Sequence, residues 1–145
     1  MIGLVAAALV AAAPVDGFLE RNVTRPGVTV LPGGIQYRVL ESGPSRAASP
    51  RPGDEIKVHY EGRLLTGRIF DSSFVRDRPA IIPLKQLIPC WMDVLPRMRA
   101  GDDWIVFCPS DKGYGAEWAG TDIPPNSTLV FRVRLLDVLP AKASP

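Results

Sequence analysis

At 145 residues, with 46% hydrophobic and 22% charged side chains, the chain is long enough for one domain with a substantial core. A formal net charge of +2, with no Lys/Arg run longer than two residues, argues against a nucleic-acid-binding face. Two cysteines and one histidine are too few and too badly spaced for a zinc site, so no metal or other cofactor is expected.

Residues 1–13, MIGLVAAALVAAA, form an apolar run too short to cross a bilayer as a helix. The run reads as the apolar core of a secretory signal peptide, with Ala-x-Ala cleavage options at its end, although no Lys or Arg precedes it. Export would place the mature chain in the periplasm or outside the cell with no membrane span; retention of residues 1–13 would leave it cytoplasmic. Residues 14–32 make a polar approach segment broken by Gly and Pro, with at most one helical turn around Leu19 to Asn22. A domain is expected over residues 33–140, and residues 141–145 are a tail.

Within that domain Ile35 to Leu40 alternates as a strand, and residues 42–52 are a Gly/Pro/Ser/Ala loop. Ile56, Val58 and Tyr60 alternate with Lys57, His59 and Glu61, the period-2 signature of a strand with one buried face. A turn at Leu65-Thr66-Gly67 leads to a second strand ending in Phe70-Asp71-Ser72-Ser73. Phe74 to Arg78 is a charged loop and Pro79 to Pro83 a short extended piece. Pro89 suits the first position of a helix, where Trp91, Val94 and Leu95 share one buried face and Pro96 sets a limit of about two turns. Trp104 to Pro109 is a continuous apolar run of strand length, expected at the centre of a sheet. A long loop spans Ser110 to Pro125, and Leu129 to Val138 alternates as a closing strand. These elements make an α+β domain in which an antiparallel sheet of four to five strands packs on one short helix.

The segment Val58-His59-Tyr60-x-Gly62-x-Leu64-x-x-Gly67-x-x-Phe70-Asp71-Ser72-Ser73 resembles the FKBP family of peptidyl-prolyl cis-trans isomerases. Ile88-Pro89-x-Trp91, Tyr114-Gly115 and Ile123-Pro124-Pro125-Asn126-x-x-Leu129-x-Phe131 continue the pattern, so the resemblance covers about residues 33–139. The approach, from Phe18-Leu19 to Gly34-Ile35-Gln36-Tyr37, is similar to secreted bacterial members of the macrophage-infectivity-potentiator type. The resemblance implies a twisted antiparallel sheet wrapped around the helix. It also implies isomerase activity on X–Pro bonds of polypeptides, with macrolides as inhibitors and no cofactor. Tyr60, Asp71 and Tyr114 would be the catalytic polar groups, Asp71 accepting from Tyr60 and pairing with Arg76. Phe70, Arg76, Leu87, Ile88, Trp91, Ile123 and Phe131 would bind substrate, with Trp91 as the floor.

Taken alone, Tyr60, Phe70 and Phe131 read as core aromatics, and Asp71 as a turn or cap residue. His59 points away from Tyr60 by alternation and reads as structural. Cys90 and Cys108 could bond only if their Cα atoms came within about 7 Å; they read here as free buried thiols. Three positions depart from the family pattern: Ala80 where an aromatic is common, Cys90 for the usual Gly, and Asp122 before Ile123. They bear on macrolide affinity more than on activity. Trp118, in the middle of the long loop, is expected over the pocket mouth. A binding or chaperone module that keeps the pocket but turns over poorly is the rival reading, and the oligomeric state is left open.

Overall fold

A computed structural model describes residues 17–141. The segment read as a signal peptide and residues 142–145 of the tail lie outside the described residues. Seven strands form one antiparallel sheet: β1 (Val28–Val30), β2 (Gln36–Glu41), β3 (Glu55–Leu64), β4 (Ile69–Ser72), β5 (Ala80–Pro83), β6 (Asp103–Cys108) and β7 (Leu129–Leu139). Their order is β1-β2-β6-β7-β3-β4, with β5 also pairing with β3. Three short helices accompany them: α1 (Phe18–Asn22), α2 (Ser73–Arg76) and α3 (Pro89–Val94). The α+β architecture is as expected, but the sheet has seven strands where four to five were read, and α2 joins the expected helix and the turn expected around Leu19 to Asn22. The added elements are three or four residues long. The added strands β1 and β5 are specified by pairing with the longer β2 and β3, which a local pattern does not carry.

Alternation places the core. In β3 Ile56, Val58, Gly62 and Leu64 are buried while Glu55, Lys57 and Arg63 are exposed. In β7 Leu129, Phe131, Val133 and Leu135 are buried. β6 lies between β2 and β7 and is covered on both faces, which explains its unbroken apolar run. Trp104, Val106 and Cys108 join the core, whereas Phe107 meets Phe18 of α1 with ring centroids 5.9 Å apart. The approach segment is thus built into the fold: β1 pairs with β2, and Asn22 Nδ2 donates to Gln36 Oε1 at 2.8 Å. Cys90, Trp91, Val94 and Leu95 are buried in the core under the sheet, the face that their spacing implies. Among the described residues no helix is long and apolar enough to cross a membrane.

The outer edge of β3 shapes the site. Residues 55–58 pair with β5 and residues 61–63 with β4, so both strands share one edge and α2 bulges out between them. The gap falls at Tyr60. There the buried Ser73 hydroxyl accepts from Tyr60 N at 2.7 Å and lies 3.2 Å from Tyr60 O. A side chain therefore closes the ladder where backbone pairing stops. Ser72 caps α2 by accepting from Val75 N at 3.2 Å.

Candidate active site

The two strands flanking the gap and the helix beneath them enclose a cavity of about 280 Å³. Trp91 of α3 lies at its base, edge-on to Tyr60 (centroids 5.3 Å apart, planes at 87°) and to Phe131 (5.5 Å, 83°). Phe70 extends the series with an edge contact to Phe131 at 5.7 Å. Such edge-to-face rings hold one another at fixed angles. Gly62 makes this packing possible. A Cβ there would stand 2.5 Å from Phe70 Cζ and 2.7 Å from Phe131 Cε1, so the position demands the smallest side chain for reasons of space. Leu87 and Ile88, on the approach to α3, complete the apolar wall.

The polar rim is one connected network. Tyr60 Oη donates to Asp71 Oδ2 at 2.5 Å, Arg76 Nη1 pairs with Asp71 Oδ1 at 2.5 Å, and Arg76 Nη2 donates to Tyr60 Oη at 3.3 Å. Burial works against ionisation of Asp71, but the hydrogen bonds from Tyr60 and Arg76 prevail and hold its carboxyl below the usual carboxylate range. Burial, helped by the bond to Asp71, raises the Tyr60 hydroxyl above its ordinary value. Burial, followed by the charge of Asp71, does the same to Tyr114. Near neutral pH the rim therefore offers a fixed carboxylate and two neutral hydroxyls. Tyr60 is already engaged as a donor, so Tyr114, half exposed, is the hydroxyl free to meet a ligand carbonyl.

α2 is clamped from behind, which steadies Arg76. The Phe74 ring stacks on His59 at 4.8 Å, and the Arg132 and Arg134 guanidinium carbons lie 5.2 and 5.7 Å from its centroid. Both arginines are held by the buried Asp103, at 2.8 and 3.2 Å. His59 Nδ1 lies 2.8 Å from Ser73 Oγ, on the side of β3 away from the cavity. It is structural, as its alternation implies.

Of the ten residues implied for the site, eight line the cavity: Tyr60, Phe70, Asp71, Leu87, Ile88, Trp91, Tyr114 and Phe131. Arg76 sits outside the lining but grips Asp71 and Tyr60. Ile123 does not line it; it is buried in the core and bridged to Ala119, so it supports the loop from behind. Two lining residues, Ile82 and Gln86, were missed. Ile82 carried a signal, since Ala80 and Ile82 alternate with the exposed Ile81 and Pro83. Gln86 has a positive φ of 58°, a conformation with no signature in its residue type. Ala80 and Asp122 also lie outside the lining, and Asp122 pairs with Arg68 at 2.8 Å. Trp118 is 60% exposed and does not line the cavity. Among the described residues no cluster of three His, Cys, Asp or Glu is placed to hold a metal ion.

One expectation is overturned. Cys90 and Cys108 are joined in a disulfide with Cα atoms 5.8 Å apart, and neither is a free thiol. The strand-to-helix packing brings together two buried residues separated by 18 positions, a proximity that arises only from the tertiary fold.

An apolar cleft with an oriented carboxylate and a free hydroxyl at its mouth, carried on an antiparallel sheet folded over a short helix, can take up an apolar ring and hydrogen-bond the polar groups beside it. The family model described as FKBP-type peptidyl-prolyl cis-trans isomerase matches residues 46–136, and the chain belongs to that family. It is 44% identical over 121 residues to the peptidyl-prolyl cis-trans isomerase Mip of Coxiella burnetii, an alignment covering 83% of this chain and 52% of that protein. It is 42% identical over 122 residues to the FKBP-type 22 kDa peptidyl-prolyl cis-trans isomerase of Escherichia coli, covering 84% and 58%. The crystal structure of FkpA from Escherichia coli superposes with a TM-score of 0.83 at 35% identity, covering 90% of this chain and 60% of that one. A peptidyl-prolyl cis-trans isomerase from Pseudomonas syringae gives 0.79 at 36% identity, covering 92% and 94%. The chain spans about half the length of the curated relatives it matches.

Proposed function

We propose that the protein is a peptidyl-prolyl cis-trans isomerase that accelerates X–Pro bond rotation in polypeptides without a cofactor. The observation that carries this reading is the apolar cleft floored by Trp91 with the Tyr60–Asp71–Arg76 network at its rim. Amide resonance sets a rotation barrier of roughly 18–20 kcal/mol, and X–Pro bonds exchange in tens to hundreds of seconds. The planar amide is more polar than the twisted one, so removing water from it favours the twisted form. Trp91, Phe70, Ile88 and Phe131 would hold the prolyl ring and exclude water, while Tyr114 donates to a substrate carbonyl. Asp71 orients Tyr60 and Arg76 and takes no proton. Lowering the barrier by about 6 kcal/mol would give turnover of a few hundred per second.

The residues lining the cleft fall within the expected domain of residues 33–140, while the preceding segment adds the edge strand β1 and packs Phe18 against Phe107. Export to the periplasm or beyond is supported by the apolar run of residues 1–13 and by the disulfide, since such bonds persist in oxidising compartments. It is also supported by 41% identity to a Legionella longbeachae relative named outer membrane protein MIP. Macrolide inhibitors would compete for the same cleft.

The test is isomerisation of an X–Pro peptide by the full chain. Acceleration that falls at least about tenfold in Trp91→Ala supports the reading. Peptide binding without acceleration would make the protein a proline-binding chaperone module. Neither binding nor acceleration would refute both.

A further inference from the structure

The disulfide sits where it can govern the cleft. Cys90 directly precedes Trp91 and follows Leu87 and Ile88, three residues that line the cavity. Its partner Cys108 ends β6 opposite Leu129 of β7, two positions before Phe131. The bond therefore ties the helix-borne part of the cleft to the β6–β7 pair, which carries Phe131. Both cysteines are fully buried.

Apart from the bond, α3 is placed by the burial of Trp91 and Val94 in the core. It is six residues long, Ile88 gives its first turn no side-chain cap, and Pro89 lacks an N–H. A helix this short has no stability of its own and takes its position from tertiary ties. The Trp91 indole N–H is buried with no protein hydrogen-bond partner, so within the protein the ring is located by its packing on Tyr60 and Phe131 and follows the backbone that bears it.

We propose that the Cys90–Cys108 disulfide is a positioning element for the proline site, holding Leu87, Ile88 and Trp91 against the Phe131 wall so that opening the bond weakens proline binding while the sheet stays folded. The inference rests on the isomerase reading above. Opening the bond is a two-electron step. A dithiol reductant supplies two electrons and two protons, the Sγ–Sγ bond breaks, Cys90 and Cys108 each become thiols, and the reductant leaves as a cyclic disulfide. Neither cysteine takes part in the isomerisation.

The experiment compares oxidised full-length protein, protein reduced with dithiothreitol and shown by thiol titration to carry two thiols, and the double variant Cys90→Ala/Cys108→Ala. Each is tested at a temperature where circular dichroism shows it fully folded. The Kd for a proline-containing peptide and the KM for its isomerisation should rise about tenfold on reduction and in the double variant, with a smaller change in kcat. In an otherwise oxidised Trp91→Phe protein, reduction should add much less, because the ring being positioned has already been replaced. A bond that only stabilises the fold would lower the melting temperature yet leave Kd and KM unchanged, and that result overturns the proposal. An oxidised protein that binds the peptide without turnover refutes the isomerase reading and leaves Kd to decide the positioning role. If it neither binds nor turns over the peptide, both are wrong.

Discussion

Asp71 accepts from Tyr60 and pairs with Arg76, yet the pair's side chains are 39% and 51% exposed. Ion pairs so open to water contribute about 0–1 kcal/mol, so the network orients groups more than it stabilises the fold. Arg76→Ala is expected to leave the unfolding free energy within about 1 kcal/mol of wild type while lowering kcat/KM; denaturant titration beside the peptide assay reads both. Trp91 behaves differently because it is buried at the centre of the ring series. Trp91→Ala should cost about 3–5 kcal/mol of stability together with proline affinity, and unchanged melting with unchanged affinity would remove the floor assignment. Gly62→Ala should cost about 1–3 kcal/mol by overpacking Phe70 and Phe131, and raise KM as those rings shift. Much of this site was legible at the residue scale. The motif from Val58 to Ser73 carried Tyr60, Phe70 and Asp71, which line the cavity, and Gly62, whose place between Phe70 and Phe131 only the fold reveals. Gln86 and the disulfide were not legible, since one depends on a backbone angle and the other on a distance across the fold.

Elements show how the Asp-Ser-Ser run divides its work. Asp71 ends in the site, Ser72 caps α2, and Ser73 fills the gap in the β3 ladder. Ser73→Ala would strip the Tyr60 N–H of its partner at a buried position, a loss of about 1–3 kcal/mol. It would also loosen α2 and with it Arg76. Hydrogen exchange at Tyr60 should quicken by orders of magnitude in that variant; unchanged protection would mean that another group closes the ladder. α2 was read as a charged loop because Arg76, Asp77 and Arg78 mask a single turn whose only local sign is the Ser72 cap. β1 was passed over for a similar reason. Val28, Thr29 and Val30 are good strand formers, but three residues after Pro26-Gly27 show no period, and only pairing with β2 makes them a strand. β3, β7 and α3 were legible because their burial repeats with the period of the element, and β6 because its apolar run is unbroken. Trp118 projects from the long loop and is largely exposed, so Trp118→Ala should change stability by no more than about 0.5 kcal/mol.

At the scale of the fold, the Asp103 ion cluster and the Cys90–Cys108 bond join segments far apart in sequence. Burial opposes ionisation of Asp103, but its bonds to Arg132 and Arg134 outweigh this and keep its carboxyl below the usual range. A depressed carboxyl means that the unfolded chain binds protons first. The stability this group contributes is therefore complete above its unfolded value, near pH 4, and is lost as pH falls through the folded value. Asp103→Asn should flatten that acid limb, which thermal melts across the acid range will show. Closing an 18-residue separation, the disulfide is expected to add about 3 kcal/mol. In the proposed mechanism an apolar cleft speeds rotation by displacing water, with no proton transfer. The most direct test is the pH profile of kcat/KM on an X–Pro peptide, taken with its solvent deuterium isotope effect. Asp71 stays ionised and Tyr60 and Tyr114 stay neutral around pH 7, so the profile should be flat from about pH 6 to 8 with an isotope effect near unity. A bell-shaped profile in that window with a substantial isotope effect would show that a proton moves in the transition state, and would overturn that mechanism.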